Sequence, residues 1–131
     1  MDIFAQFATD ESAEVEGRWF PLNKTAKLLL ARSGNTNFNA QLRAALAKNQ
    51  IDLDAGGVDA DNLAEGLIVD VMATTILLGW EGLEYKGRAV SYSPEMARTM
   101  LRIKDFRKKV SGFSESMEAY RAKAETAQGN D

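Results

Sequence analysis

Apolar residues are densest between residues 59 and 79, in a stretch with few charges. From Leu67 to Trp80 the only charged side chain is that of Asp70. Placed on a helix, the apolar positions cover far more than the single stripe that a surface helix buries. The pattern therefore predicts a buried central helix over residues 59–79. This stretch is too short and too interrupted to span a bilayer, which takes roughly 20 apolar residues.

Two short apolar runs, GRWFPL and AKLLLARSG, precede this helix and flank a polar turn at residues 23–25. They predict a small N-terminal β-hairpin. Pro21 must lie at its edge, because proline has no amide hydrogen to donate to a neighbouring strand. Trp19 and Leu29 are the candidates for its buried face.

Three further elements follow from spacing and capping signals. Apolar residues at helical spacing predict a helix over residues 36–49, followed by an acidic loop over 50–58. A second small hairpin is predicted around a Lys86–Gly87 turn. Ser93-Pro94-Glu95 is a strong helix start and predicts a helix over residues 94–103.

The C-terminal part of the chain repeats apolar residues at alternating spacings of three and four, as a heptad seam does. This pattern predicts a helix over residues 105–126. The seam suits packing on its own domain or pairing with another helix. Its residues are Phe106, Val110, Phe113, Met117 and Tyr120, continued by Ala124 and Ala127.

Together these elements predict a mainly α single domain of about four helices around a buried central helix, with a small N-terminal β-hairpin. Residues 1–14 are predicted to be an irregular, mobile arm with Phe4 and Phe7 among its few apolar anchors. The domain itself is assigned to residues 15–126. Residues 127–131 are expected to be a frayed tail.

Composition argues against catalysis and metal binding. The 131 residues contain no histidine and no cysteine, which removes the commonest general base and the best metal ligands. The acidic run from Asp52 resembles the start of a calcium-binding loop, but its twelfth position is Leu63 instead of glutamate. We therefore expect no enzymatic activity, no catalytic residues, no cofactor and no metal. Asp70 is expected to be an acid at the edge of the core paired with an arginine.

Charge is unevenly distributed although the net charge is only −3. Residues 49–85 hold eight acids and no base, whereas residues 86–109 hold eight bases and two acids. The two blocks are either two solvated faces or surfaces through which an acidic face of one copy meets a basic face of another. A sequence pI near 5.1 and the lack of a nucleic-acid motif predict no nucleic-acid partner. No secretory signal or membrane segment is evident, so we expect a cytoplasmic protein without a membrane partner.

Several short pieces occur in an order that resembles the tail assembly chaperones of long-tailed siphophages. The resemblance covers residues 17–101 and rests on their order and spacing, because no single piece is specific. The pieces are Gly17-Arg18-Trp19-Phe20, Lys27-Leu28-Leu29-Leu30-Ala31-Arg32, Gly34-Asn35-x-x-Phe38, Leu78-Gly79-Trp80-Glu81-Gly82 and Tyr92-Ser93-Pro94-Glu95-x-Ala97.

The resemblance implies a late phage protein that binds the tape measure protein, keeps it soluble and helps recruit tail tube subunits. It also implies a host-cytoplasmic location, absence from the mature virion and a C-terminally extended form made by ribosomal frameshifting. It supplies no catalytic motif.

From the two charge blocks and the heptad seam we expect a homo-oligomer, and we expect it to bind its partner through the seam. The residues proposed for this are Phe106, Val110, Phe113, Met117 and Tyr120, with Phe4 and Phe7 of the arm second. The alternative is a structural virion component such as a head–tail joining protein. A DNA-binding regulator is a distant third.

Overall fold

The computed structural model describes residues 1–122. In this part of the chain there are seven α-helices, five β-strands and one 3-10 turn at Glu118–Tyr120. The helices are α1 (Ile3–Phe7), α2 (Glu11–Glu16), α3 (Thr36–Lys48), α4 (Gln50–Asp54), α5 (Gly57–Thr75), α6 (Pro94–Leu101) and α7 (Lys104–Ser114). The strands are β1 (Arg18–Pro21), β2 (Lys27–Leu30), β3 (Leu77–Glu81), β4 (Glu84–Tyr85) and β5 (Arg88–Ala89).

A three-stranded antiparallel sheet in the order β1-β2-β3 is the centre of the fold. Leu28 of the middle strand pairs with Phe20 on one side and with Trp80 on the other. These three side chains are buried, because alternate residues of each strand point to the same face. Strands β4 and β5 form a separate two-stranded hairpin.

The core lies between the inner face of this sheet and the helices that cover it. The second half of α5, together with α6 and α7, supplies the helical residues of the core. Tyr120, after α7, is also part of it. The core residues are Ala13, Phe20, Leu28, Leu30, Val69, Met72, Ala73, Ile76, Leu77, Trp80, Ala97, Met100, Leu101, Val110 and Tyr120.

Residues 36–68, which we call the helical lobe, lie beside this core. The lobe consists of α3, α4 and the first half of α5. Neither α3 nor α4 contains a fully buried residue, and α3 packs mainly on α5. The lobe therefore contributes little to the central core, and Leu46, Ile51, Val58 and Ile68 within it are exposed.

The predicted mainly α fold class is wrong, because the molecule is a mixed α/β protein. The N-terminal hairpin was correctly predicted, but it forms two strands of a three-stranded sheet whose third strand is β3. A second sheet follows immediately. The predicted fold lacked the long-range pairing between residues 27–30 and 77–81.

The predicted central helix was correctly placed but too long at its C-terminal end. It ends at Thr75, and Leu77–Glu81 is strand β3. The run LLGWE is apolar in either conformation, so its pattern alone does not distinguish helix from strand. Pairing with the free edge of β2 satisfies its backbone groups, and this tertiary interaction decides the conformation. Gly79, the last residue of the predicted helix, lies inside the strand.

The predicted last helix over residues 105–126 is wrong beyond Ser114, where α7 ends. The Ser116 hydroxyl accepts a hydrogen bond from the amide of Ala119, and the Ser114 hydroxyl donates to the carbonyl of Ser111. Such local bonds give the backbone an alternative to continuing the helix. The turn that follows directs Tyr120 into the core. Residues 123–126 of the prediction lie outside the described chain.

The predicted Lys86–Gly87 turn and the predicted helix start at Ser93 are confirmed. Lys86 and Gly87 both have positive φ, 52° and 82°, as a type I′ hairpin turn requires. Asn35 caps α3 and Ser93 caps α6 through their side-chain oxygens. The acidic loop predicted over residues 50–58 is instead interrupted by the short helix α4.

The face assigned to the N-terminal hairpin was wrong by one residue. Trp19 is 44% exposed and Leu29 is half-buried, whereas their neighbours Phe20, Leu28 and Leu30 are buried. Trp19 and Leu29 pair with each other on the outer face of the sheet. Pro21 is at the edge as expected, because β1 is an outer strand.

Residues 1–14 are not irregular. They contain α1 and the start of α2, whose first turns are capped by Asp2 and Asp10. The mobility expected of this arm stays a prediction, as does the assignment of one domain to residues 15–126. The predicted tail at 127–131 lies outside the described chain. No helix in residues 1–122 is long and apolar enough to cross a membrane.

Candidate functional site

The residues of the predicted seam do not share one open helical face, because α7 ends before Met117 and Tyr120. Val110 and Tyr120 are fully buried in the core. Phe106, Phe113 and Met117 are half-buried. The structure therefore uses much of this seam to attach the C-terminal segment to its own sheet.

Aromatic packing shows how that attachment works. The ring of Phe113 stacks on that of Phe20 with 5.1 Å between centroids, and the ring of Tyr120 lies 6.0 Å from Phe20. The Tyr120 hydroxyl donates a hydrogen bond to the main-chain oxygen of Leu30. Burial raises the pKa of Tyr120, so this hydroxyl stays protonated as a donor at neutral pH.

The N-terminal arm, by contrast, leaves its large apolar side chains in solvent. Ile3, Phe4 and Phe7 are 63%, 76% and 54% exposed, and Met1 is also exposed. On so short a helix, residues 3, 4 and 7 fall within about 100° of one another. Helix α1 therefore presents one compact apolar face, which we call the arm face.

The arm face is held in place by the segment that follows Tyr120. Arg121 donates a hydrogen bond of 2.8 Å to the carbonyl of Ala5, and Ala122 donates through its amide to the carbonyl of Ala8. Thr9 and Arg121 form an isolated antiparallel bridge. These bonds fix the backbone of α1 while its apolar side chains remain free of the core.

A polar cleft at the base of the arm is lined by Glu14, Arg32, Ser33, Gly34, Asn35 and Glu115. Glu14 accepts hydrogen bonds from the Thr9 hydroxyl at 2.6 Å and from the Arg32 guanidinium at 2.8 Å. The Thr9 hydroxyl and Arg32 together hold the pKa of the Glu14 carboxyl below its usual value, although desolvation opposes them. Glu14 and Arg32 are therefore occupied in joining α2 to the end of β2.

The acids considered as candidate sites from the sequence, Asp52, Asp54 and Asp70, all lie in helices. Asp70 lies 3.3 Å from the guanidinium of Arg98, and this ion pair between α5 and α6 confirms the arginine partner expected for Asp70. Asp52 and Asp54 lie in α4, not in a calcium-binding loop. Within residues 1–122 no group of three or more acids is arranged to hold a metal ion.

Comparison with known protein families gives a match over most of the chain. The model of the YdaY prophage protein family matches residues 33–130. The chain belongs to this family. It is thus a phage-derived protein, which confirms the phage origin that the resemblance implied. The role in tail assembly stays a prediction. Comparisons with curated proteins and with solved structures gave no significant match.

The part of this prophage protein that matches the family begins just before α3, so the arm face lies outside it. The helical lobe lies inside it and carries two strongly exposed apolar residues that were not among the predicted site residues. Ile51 is 87% exposed and Val58 is 74% exposed. Both lie in residues 50–58, which were predicted to be an acidic loop, so neither was assigned to an apolar face.

The junction of α6 and α7 is a basic surface in the same family region. Ile103 at the junction is 49% exposed, and Arg102, Lys104 and Lys108 around it are exposed as well. A groove beside the junction is lined by Asn62, Glu65, Gly66, Val69, Arg102 and Arg107. Glu65 and Arg107 close one part of it with an ion pair of 2.6 Å.

Proposed function

We propose that this prophage protein is a tail assembly chaperone that binds the tape measure protein and acts by binding alone, without a catalytic step. The observation that carries the proposal is the arm face, where Ile3, Phe4 and Phe7 stand in solvent on an anchored helix. The membership of a prophage protein family and the resemblance of residues 17–101 to tail chaperones support it.

The physical basis is the burial of apolar side chains on both partners. Burying a phenylalanine side chain contributes roughly 1.5–3 kcal/mol, so one arm face gives a contact of limited strength. A long helical partner with an apolar stripe offers many such places, and repeated contacts along one partner add up to tight binding. Many small copies can thereby shield an aggregation-prone partner.

The arm face replaces the seam as the main binding surface in this proposal. Val110 and Tyr120 are in the core, so among the five seam residues only the half-buried Phe106, Phe113 and Met117 reach the surface. We retain these three as a secondary contact. Recruitment of tail tube subunits, a C-terminally extended frameshift form and a host-cytoplasmic location are parts of the same proposal.

The test is co-expression with the tape measure protein of the same prophage. We expect the wild-type chain to co-purify with that partner and to increase its soluble fraction. Phe4→Ser/Phe7→Ser should reduce both effects, because it removes apolar area from the arm face. The matched control is Trp19→Thr, which removes an exposed aromatic side chain from the outer face of the sheet.

If the wild-type chain neither co-purifies with the tape measure protein nor keeps it soluble, the chaperone proposal is wrong. If the arm variant and the control behave alike, binding occurs elsewhere on the molecule. Mass spectrometry of purified virions distinguishes the rival function, since a head–tail joining protein is present in fixed copy number and a chaperone is absent.

A further inference from the structure

The end of the helical lobe carries four acids and two exposed aliphatic side chains, and one of the acids, Asp54, accepts a hydrogen bond from the Gln50 amide at 2.7 Å. Ile51 of α4 and Val58 of α5 are the most exposed of the large apolar residues outside the N-terminal arm. Within residues 1–122 the acids around them make no ion pair. We call this surface the acidic tip, and it consists of Ile51, Asp52, Asp54, Val58, Asp59 and Asp61.

The junction of α6 and α7 carries mainly the opposite charge around an exposed aliphatic residue, with Asp105 as the one acid beside its bases. Ile103 lies between Arg102 and Lys104, and Lys108 follows one turn later on α7. In the described part of the chain none of these three bases forms an ion pair. We call this surface, Arg102, Ile103, Lys104 and Lys108, the basic corner.

The charges between the two surfaces are already paired inside one copy. Glu65 of α5 bonds Arg107 of α7 at 2.6 Å, and Asp70 of α5 lies 3.3 Å from Arg98 of α6. No ion pair between the acidic tip and the basic corner is found in residues 1–122. Within residues 1–122 the charges of both surfaces therefore take no part in the ion pairs that join α5 to α6 and α7.

We propose that the acidic tip of one copy docks on the basic corner of a second copy. Each surface combines exposed aliphatic side chains with exposed charged ones, and protein–protein interfaces likewise combine apolar and polar groups. The opposite signs attract tip to corner and repel tip from tip and corner from corner. This inference does not depend on the chaperone function.

Such a contact is heterologous, because it joins two different surfaces. Every copy that uses its tip still has a free corner, so further copies can add. The result is a closed ring if the rotation between copies closes and an open helical array if it does not.

The experiment is sedimentation velocity over a range of protein concentrations at low and high salt. We expect association at low salt that weakens as salt rises, because the Debye length falls from about 10 Å at 0.1 M to about 3 Å at 1 M. Asp54→Lys/Asp61→Lys makes the tip basic, and Lys104→Glu/Lys108→Glu makes the corner acidic. Each double variant alone should associate roughly tenfold or more weakly, since like charges then face each other.

Mixing the two double variants is the decisive measurement. The basic tip of the first variant then meets the acidic corner of the second, so the mixture should regain association that neither variant shows alone. Lys24→Glu/Lys86→Glu is the control, because it changes the net charge as the corner variant does but lies in the two hairpin turns.

A wild-type chain that stays monomeric at every concentration at low salt would overturn the proposal. So would a mixture that associates no better than its components. If a reversed variant fails to fold by circular dichroism, Asp54→Asn/Asp61→Asn and Lys104→Gln/Lys108→Gln replace the pairs. Each neutral variant must then weaken association and remove much of its salt dependence, and unchanged association in both refutes the contact.

Discussion

The hydroxyl of Tyr120 donates a hydrogen bond of 2.7 Å to the main-chain oxygen of Leu30, 90 residues earlier in the chain. Both residues are fully buried. The bond joins the segment after α7 to the middle strand of the sheet. It thereby holds the segment that follows the end of α7 at Ser114 against the sheet.

Tyr120→Phe should lower the free energy of unfolding by about 1–2 kcal/mol, because it removes a buried hydrogen bond and leaves the aromatic packing in place. Urea denaturation followed by circular dichroism measures this. Tyr85→Phe is the control, because the Tyr85 hydroxyl makes no hydrogen bond within residues 1–122. Equal stability of the two variants would show that the Tyr120–Leu30 bond contributes nothing.

Asn35 has three hydrogen-bond functions that substitutions can separate. Its side-chain oxygen caps α3 by accepting from the Phe38 amide at 3.0 Å, and its NH₂ group donates to the carbonyls of Arg32 and Thr75. Asn35→Ala removes all three bonds from a buried site, so we expect a loss of about 2–3 kcal/mol in the free energy of unfolding.

Asn35→Asp keeps the cap but removes both donors and buries a carboxylate beside two carbonyl oxygens. At neutral pH it should be at least as destabilising as Asn35→Ala, and it should recover as the carboxylate is protonated at lower pH. Thermal unfolding at pH 7 and pH 5 tests this. An Asn35→Asp variant as stable as wild type at pH 7 would mean that the two donor bonds are dispensable.

The lowered pKa of Glu14 predicts that part of the free energy of unfolding is lost at acidic pH. Its pKa is lowered in the folded state, so the stabilisation is complete above the usual value of 4.5 and is lost as the pH falls through the folded-state value. Glu14→Gln should cost about 1 kcal/mol at pH 7 and progressively less below pH 4.5. The matched control is Glu16→Gln, an exposed residue of the same helix. A cost of Glu14→Gln that does not change with pH would contradict this prediction.

Substitution of two glycines with positive φ distinguishes the cost of backbone strain from the cost of a steric collision. Gly82 (φ +76°) lies against the main chain of Thr25, where an added Cβ would collide with the carbonyl oxygen, whereas Gly87 (φ +82°) has open space. Gly87→Ala should cost about 1 kcal/mol through strain alone. Gly82→Ala should cost clearly more, about 2 kcal/mol or above, because the neighbouring hairpin must also move. Similar melting temperatures for the two variants would refute the close approach.

Local chemistry made parts of the fold predictable from the sequence. The Lys86–Gly87 turn and the Ser93 and Asn35 caps depend on residues within four positions of one another. Strand β3 depends on the edge of β2, nearly fifty residues away, and no local pattern contains that information. The same limitation shifted the buried face of the first hairpin from Phe20 to Trp19, since both are apolar.

The candidate site shows a related limitation. Spacing marks Val110, Phe113 and Tyr120 as apolar positions of one type, but it does not say whether a partner or the protein's own sheet covers them. Here the sheet covers Val110 and Tyr120. Ile51 and Val58 were overlooked for a different reason, because residues 50–58 were predicted to be an acidic loop and the short helix α4 was not.

The pairing of Leu30 with Leu77 has a consequence for how this fold can evolve. The chain leaves the sheet after β2, forms the helical lobe and returns to the adjacent position in β3. Chain-closure entropy grows slowly with loop length, so doubling a flexible loop within this excursion costs only about 0.6 kcal/mol. Insertions and deletions in the lobe can therefore change how far Ile51 and Val58 extend while scarcely affecting the sheet. In an array of copies joined through that lobe, its length would determine the distance from one copy to the next.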